Sequence, residues 1–241
     1  MKKAMRILVI LLAVLLLAAA AGFVYLYFNG LSGLTRIGTP AANQIRVACV
    51  GDSVTYGHGV KNWPKNNYPT VLQELLGDEY HVGNFGFSGR AVQPDSDQPY
   101  TATARYEKSL AYNCNILVFM MGSNDSKPEN WNGPDQFAED LRSLLNSYYQ
   151  DNAERRLFLC TPPTAFFTGD AEGLCTNFDI QPAVVDEIAE VVRSVAEEYD
   201  CTLIDIHALT QAHPEWFEKD GVHPNNDGAR AIAQTVADAL V

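Results

Sequence analysis

The chain has 241 residues, enough for one domain with a full core and few for two. Its composition, 47% hydrophobic and 19% charged, is that of a globular protein carrying one unusual segment. A net charge of −12 argues against nucleic acid or an anionic lipid surface as a partner.

The unusual segment comes first. Ile7 to Phe28 is a run of 22 residues without a charge, preceded by Lys2, Lys3 and Arg6. As a helix it spans ~33 Å, enough to cross a bilayer core. It has no polar face, which sets it apart from the core helix of a soluble protein. The small residues of "AAAAG", Ala18 to Gly22, would suit cleavage of a signal peptide. Against this, "FVYLYF" continues the apolar run past that point and sets tyrosines near the far interface. We therefore read residues 1–28 as a retained signal anchor, a single transmembrane helix through which the protein meets the membrane. The basic flank puts the N-terminus in the cytoplasm and the rest outside, with Arg36 as a lone opposing charge. A cleaved segment would instead give a secreted protein. Without Lys2, Lys3 and Arg6, the 17 basic residues become 14 against 29 acidic ones, a net charge of −15.

Residues 29–43, rich in Gly, Ser, Thr and Pro, read as a linker to a single domain over 44–241. Short apolar runs then predict strands at Ile45–Val50, Tyr80–Phe85, Ile116–Met121, Leu157–Cys160 and Thr202–Ile206. Three helical faces recur at i, i+3, i+4, i+7 spacing. The first is Phe137, Leu141, Leu144, Leu145 and Tyr148; the second is Val184, Ile188, Val191, Val192, Val195 and Tyr199. The third is Ala229, Ile232, Ala233, Val236, Ala237 and Leu240. Strands alternating with helices imply a parallel sheet covered on both faces. Of five cysteines, Cys49, Cys160 and Cys201 lie in or beside strand patterns and suit a core; Cys114 or Cys175 could join a disulfide. No Cys or His spacing suggests a metal.

Polar clusters sit where the strands end. Gly51-Asp52-Ser53 follows the first, Ser88-Gly89 the second, and "MMGSNDS" with Asn124 and Asp125 the third; "KDGVHPNN" with Asp220 and His223 precedes the last helix. Strand carboxyl ends are where open α/β sheets bind ligands. Together these residues can perform acyl transfer. A serine hydroxyl needs a base, His223, whose other ring nitrogen needs an acceptor, Asp220, three residues earlier. The oxyanion needs donors, which the backbone at Gly89 and the Asn124 amide can supply. Each residue also has a structural reading: Ser53 as a helix cap, Gly89 as a turn glycine, Asn124 and Asp125 as loop caps, His223 as a solvated residue before a helix. All four clusters in the right places are harder to explain that way.

From about Ile45 to the C-terminus the chain resembles the SGNH (GDSL-type) hydrolases. "GDSVTYG" matches their nucleophile block, "SG" the glycine block, "GSND" the asparagine block and "DGVHP" the histidine block; Ser123 stands where Gly or Thr is usual. The resemblance implies a three-layer, flavodoxin-like α/β fold with five parallel strands. It implies catalytic Ser53, Asp220 and His223, and an oxyanion hole from the Ser53 and Gly89 N–H groups and the Asn124 side chain. Asp52 would support the loop, and no metal or organic cofactor is implied. "MGSNDSKPENW" and "LCTPPTAF" are similar to the sialate O-acetylesterase or acetylxylan-esterase-like branch, which implies removal of acetyl groups from O-acetylated carbohydrate. Tyr56, His58, Trp63, Tyr68 and Trp131 lie on segments near the expected pocket, where they can stack on a sugar or simply pack the loops. A lysophospholipase or thioesterase, an extracytoplasmic O-acetyltransferase, and a binding module without catalysis are the other readings. The last is disfavoured because no triad position is missing.

Overall fold

A computed structural model of the chain describes residues 2–29, 37–150, 152, 154–168 and 178–241. Residues 30–36 of the expected linker, Arg36 among them, and Cys175 lie outside the described residues. Five strands, β1 (Ile45–Gly51), β2 (Tyr80–Gly86), β3 (Ile116–Met120), β4 (Arg156–Cys160) and β5 (Thr202–Ile204), form one parallel sheet in the order β2-β1-β3-β4-β5. Val47 of the central β1 sits opposite Val82 of β2 and Ile116 of β3.

The helices among the described residues are α1 (Lys2–Asn29), α2 (Ser53–Tyr56), α3 (Trp63–Asn66), α4 (Tyr68–Leu76) and α5 (Ala104–Ala111). They continue with α6 (Pro134–Tyr149), α7 (Pro182–Glu198), α8 (Ile206–Gln211) and α9 (Asn226–Leu240). Successive strand residues point to opposite faces, and the sequence is apolar at both, so the sheet must be covered twice. Val47, Cys49, Val118, Met120 and Phe158 pack under Val71 and Leu72 of α4 and Ile232 and Val236 of α9. Ala48, Val50, Leu117, Phe119 and Leu159 pack under Phe137 and Leu141 of α6 and Ile188 and Val192 of α7. Each Val, Leu, Ile, Phe or Met among them, fully buried, contributes ~1.5–3 kcal/mol, so both layers are held by the same term.

The expected faces of α6 and α9 are buried in full. That of α7 is turned: Val185 and Ala189 are buried, while Val184, Val191 and Tyr199 only border the core. The last strand stops at Ile204, before the predicted Ile206, because the Asp205 side chain accepts the Ala208 N–H at 3.0 Å and starts α8. Cys49, Cys114 and Cys160 are buried free thiols and Cys201 a half-buried one, so Cys114 is a core residue. In α1, Met5–Phe23 has a mean hydropathy of 2.6 and exposed side chains; it is long and apolar enough to cross a membrane.

The strand order determines where a ligand fits. From β1 the chain steps to one side for β2 and to the other for β3. The crevice at such a switch point lies outside the carboxyl ends of β1 and β3.

Candidate active site

Asp52 and Ser53 leave β1 at that crevice. Asp52 Oδ1 accepts the Val54 N–H at 2.9 Å, so Asp52 and not Ser53 caps α2. This leaves the Ser53 hydroxyl for another partner. Ser53 Oγ lies 2.9 Å from Nε2 of His223, and His223 Nδ1 lies 2.8 Å from Oδ2 of Asp220. The other Asp220 oxygen accepts the N–H groups of Val222 and His223, both at 2.9 Å. The tight Asp-Gly-Val-His turn thus holds its own carboxylate against its own imidazole. Burial alone would raise the Asp220 pKa, but the His223 ring and the two backbone donors outweigh it and bring it down to about 2. His223 is only 5% exposed and is not a solvated loop residue.

Gly89 follows β2 with φ at +78°, the left-handed region that favours glycine. A Cβ there would also meet Gln98 Oε1 at 3.3 Å. Asn124 sits in the 3-10 turn Ser123–Ser126 that follows β3. Its Nδ2 donates to the Arg90 carbonyl at 3.1 Å and makes a longer contact, 3.5 Å, with Asp52 Oδ2. Asp125 braces the same loop, accepting the Val92 and Gln93 N–H groups at 3.1 and 3.0 Å. Two adjacent side chains of the β3 turn therefore fix the segment that carries Gly89. Burial raises the Asp52 carboxyl to about 6, against the Val54 N–H and the His223 charge. Burial raises that of Asp125 to about 7, with the Asp52 charge adding to the rise.

Ser53, Gly89, Asn124 and His223 open together onto a cavity of about 450 Å³. Its lining mixes polar residues, among them Ser88, Gln98, Ser123 and Lys127, with the rings of His58 and Phe178 and the aliphatic Ile180 and Val222. Lys127 Nζ is paired with Asp97 at 3.1 Å. Of the five aromatic residues singled out in the sequence, His58 alone is among those lining this cavity. Tyr56 and Tyr68 are core residues, Trp63 stacks on Tyr56 at 5.0 Å, and Trp131 packs against Phe137. Sequence reasoning missed Gln98, Lys127, Phe178, Ile180 and Val222. Lys127, in the loop just after the asparagine cluster, and Val222, inside the Asp220–His223 turn, were the ones with a local signal. Among the described residues no three His, Cys, Asp or Glu side chains gather as a metal site would need.

The sequence pattern of the GDSL-like lipase/acylhydrolase family matches residues 49–231. An acetylxylan esterase of Xylanibacter ruminicola is 34% identical over 225 residues, covering 86% of this chain and 45% of that protein. A multidomain esterase of Ruminococcus flavefaciens is 25% identical over 222 residues, covering 78% of this chain and 27% of its own length. The chain thus spans less than half the length of the curated relatives it matches. A solved carbohydrate acetylesterase family member from Sinorhizobium meliloti superimposes with a TM-score of 0.67 at 23% identity, over 82% of this chain and 97% of that one. That last likeness concerns the fold.

Proposed function

As the chain belongs to the GDSL-like lipase/acylhydrolase family, we propose that it is a serine esterase that removes acetyl groups from O-acetylated carbohydrate. The observation that carries this is the unbroken line from Ser53 Oγ through His223 to Asp220, with contacts of 2.9 and 2.8 Å, at the mouth of a cavity.

His223 Nε2 takes the Ser53 proton as Oγ attacks the ester carbonyl, and returns it to the departing alcohol. Asp220 accepts a hydrogen bond from the Nδ1–H, which keeps Nε2 basic and steadies the imidazolium once it forms. The charge on the tetrahedral oxygen is met by the N–H groups of Ser53 and Gly89 and by Asn124 Nδ2. Ser53 begins α2, so its N–H has no acceptor within the helix. Among the described residues no acceptor takes the Gly89 N–H either. Such oriented donors stabilise the oxyanion more than the neutral ester. Water then attacks the acyl-enzyme with His223 again as base.

The acetyl-carbohydrate preference draws on the acetylxylan esterase relative. It also draws on Ser88, Gln98, Ser123 and Lys127 in the cavity lining, which offer hydrogen-bonding groups to a sugar. Helix α1 is the anchor that holds the domain outside the cytoplasmic membrane. Ser53→Ala tests the reaction: p-nitrophenyl acetate and acetylated xylan turnover should fall by ~10³-fold or more with the fold intact. A folded variant with near wild-type turnover contradicts the mechanism.

A further inference from the structure

We propose that His58 binds the alcohol part of the ester, meeting sugar hydroxyls with its ring nitrogens. This rests on reading Ser53 as nucleophile and His223 as its base.

In acylation the Ser53 Oγ–carbon bond forms and the bond from the acyl carbon to the alcohol oxygen breaks. The proton that leaves Ser53 travels through His223 Nε2 to that oxygen. The alcohol must therefore come within hydrogen-bond reach of Nε2. Whatever flanks the His223 ring on the cavity side flanks the alcohol too. Two rings do so. His58 lies 4.3 Å from His223, tilted by 47°, and Phe178 lies 5.1 Å away, edge-on. Both line the cavity.

The chain fixes His58 there. Its N–H donates to the Ser53 carbonyl at 2.9 Å. Gly57 and Gly59 on either side have φ of +95° and +88°. A Cβ on Gly59 would come to 3.1 Å from both His223 Cβ and Glu218 Cγ, so the turn presses directly on the base. Yet among the described residues neither ring nitrogen of His58 has a hydrogen-bond partner. An imidazole held by its backbone at the cavity, with no partner for either nitrogen among the described residues, can meet a ligand there with both.

Its charge state suits a sugar. Burial, then the charge of His223, lowers the His58 pKa to about 4, against a smaller opposing pull from Asp220. Above that pH the ring offers one donor and one acceptor. Neighbouring hydroxyls of a pyranose present one of each. The Phe178 edge offers an apolar surface to the C–H groups beside them.

The test compares two esters that deliver the same acetyl group to Ser53 and release an alkoxide that needs the His223 proton: a monoacetylated methyl β-xyloside and cyclohexyl acetate. Their kcat/KM ratio cancels effects on Ser53, His223 or the oxyanion donors, because both esters use these alike and cyclohexyl acetate has no further hydroxyl for His58 to meet. His58→Ala and His58→Phe in the full chain should lower the ratio about five- to tenfold, the loss of one to two neutral hydrogen bonds. His58→Gln, which keeps a donor and an acceptor, should recover at least half of it. A ratio unchanged within twofold in the Ala and Phe variants would overturn the assignment, leaving His58 as packing for His223. So would a wild-type protein that cleaves cyclohexyl acetate and ignores the xyloside. A wild-type protein that cleaves neither overturns the reading of Ser53 itself, and the assignment with it.

Discussion

Replacing Asp220 by Asn exchanges one oxygen for an NH₂ group and reverses one hydrogen bond. Asp220 Oδ1 accepts two backbone N–H groups, and Oδ2 accepts from His223 Nδ1. An Asn at this position has one oxygen for these two tasks. Turning its NH₂ toward Val222 and His223 would leave two backbone donors unpaired, at about 1–3 kcal/mol each. The oxygen therefore stays on the backbone and the NH₂ faces the imidazole. Nδ1 must then accept, which moves the ring proton to Nε2, the nitrogen 2.9 Å from Ser53 Oγ. In that tautomer His223 donates to Ser53 and cannot take its proton. The expected loss in kcat is ~10⁴-fold, the scale seen when the triad acid is neutralised in place. Steady-state hydrolysis of p-nitrophenyl acetate, with melting temperature measured on the same sample, reads both quantities. A folded Asp220→Asn protein within tenfold of wild-type kcat would refute the orienting role.

Three further outcomes are expected. Asn124→Ala should lower kcat by ~10²–10³-fold, about 2.7–4 kcal/mol, with little change in KM; a variant less stable but fully active per folded molecule removes Asn124 from the oxyanion site. Asp52 and Asp125 have folded pKa values of about 6 and 7, above their usual 3.8. Through these two groups the folded state binds more protons than the unfolded one between about pH 4 and 7, so their share of stability falls as pH rises through that window, while His58, lowered to about 4, offsets part of this up to about pH 6.5. The fall in melting temperature should shrink in Asp52→Asn, which removes one titrating group and one charge raising Asp125; an identical slope in both proteins contradicts this. Full-length protein should stay in the membrane fraction after alkaline carbonate washing, with its domain open to external protease, and a mature form starting near Gly22 in the medium would show cleavage instead.

The strands were legible to within two residues because each is an apolar run flanked by turn residues, and β1 and β3 are buried on both faces. Helices α6 and α9 were legible because a long period-3.6 pattern fixes which face is buried. In α7 apolar residues run more than halfway round, so Val184 and Val185 competed for the core and the pattern could not choose. The short helices α2, α3 and α8 are too brief to show a period. For α8 the deciding feature is a single cap, Asp205, which the sequence displays only as one more polar residue. The residues at Ser53, Gly89, Asn124, Asp220 and His223 stood out because strand ends confine polar clusters to one edge. The cavity walls did not. Phe178 and Gln98 come from irregular segments, where no spacing tells which way a side chain points. Tyr56 and Tyr68 show the converse: adjacency to the serine cluster suggested the pocket, but large aromatic rings next to a central strand were drawn into the core.

A nucleophilic Ser53 must carry the acyl group between the two halves of the reaction. Mixing the protein with excess acetyl ester, quenching in acid within the first turnovers and mapping the digest by mass spectrometry tests it directly. An acetyl group on Ser53, strongest in Asp220→Asn if deacylation is slowed more than acylation, and absent from Ser53→Ala, is the predicted result. Hydrolysis that proceeds with no acetyl on Ser53 at any quench time, or an acetyl on another residue that forms and decays at the rate of turnover, would contradict it.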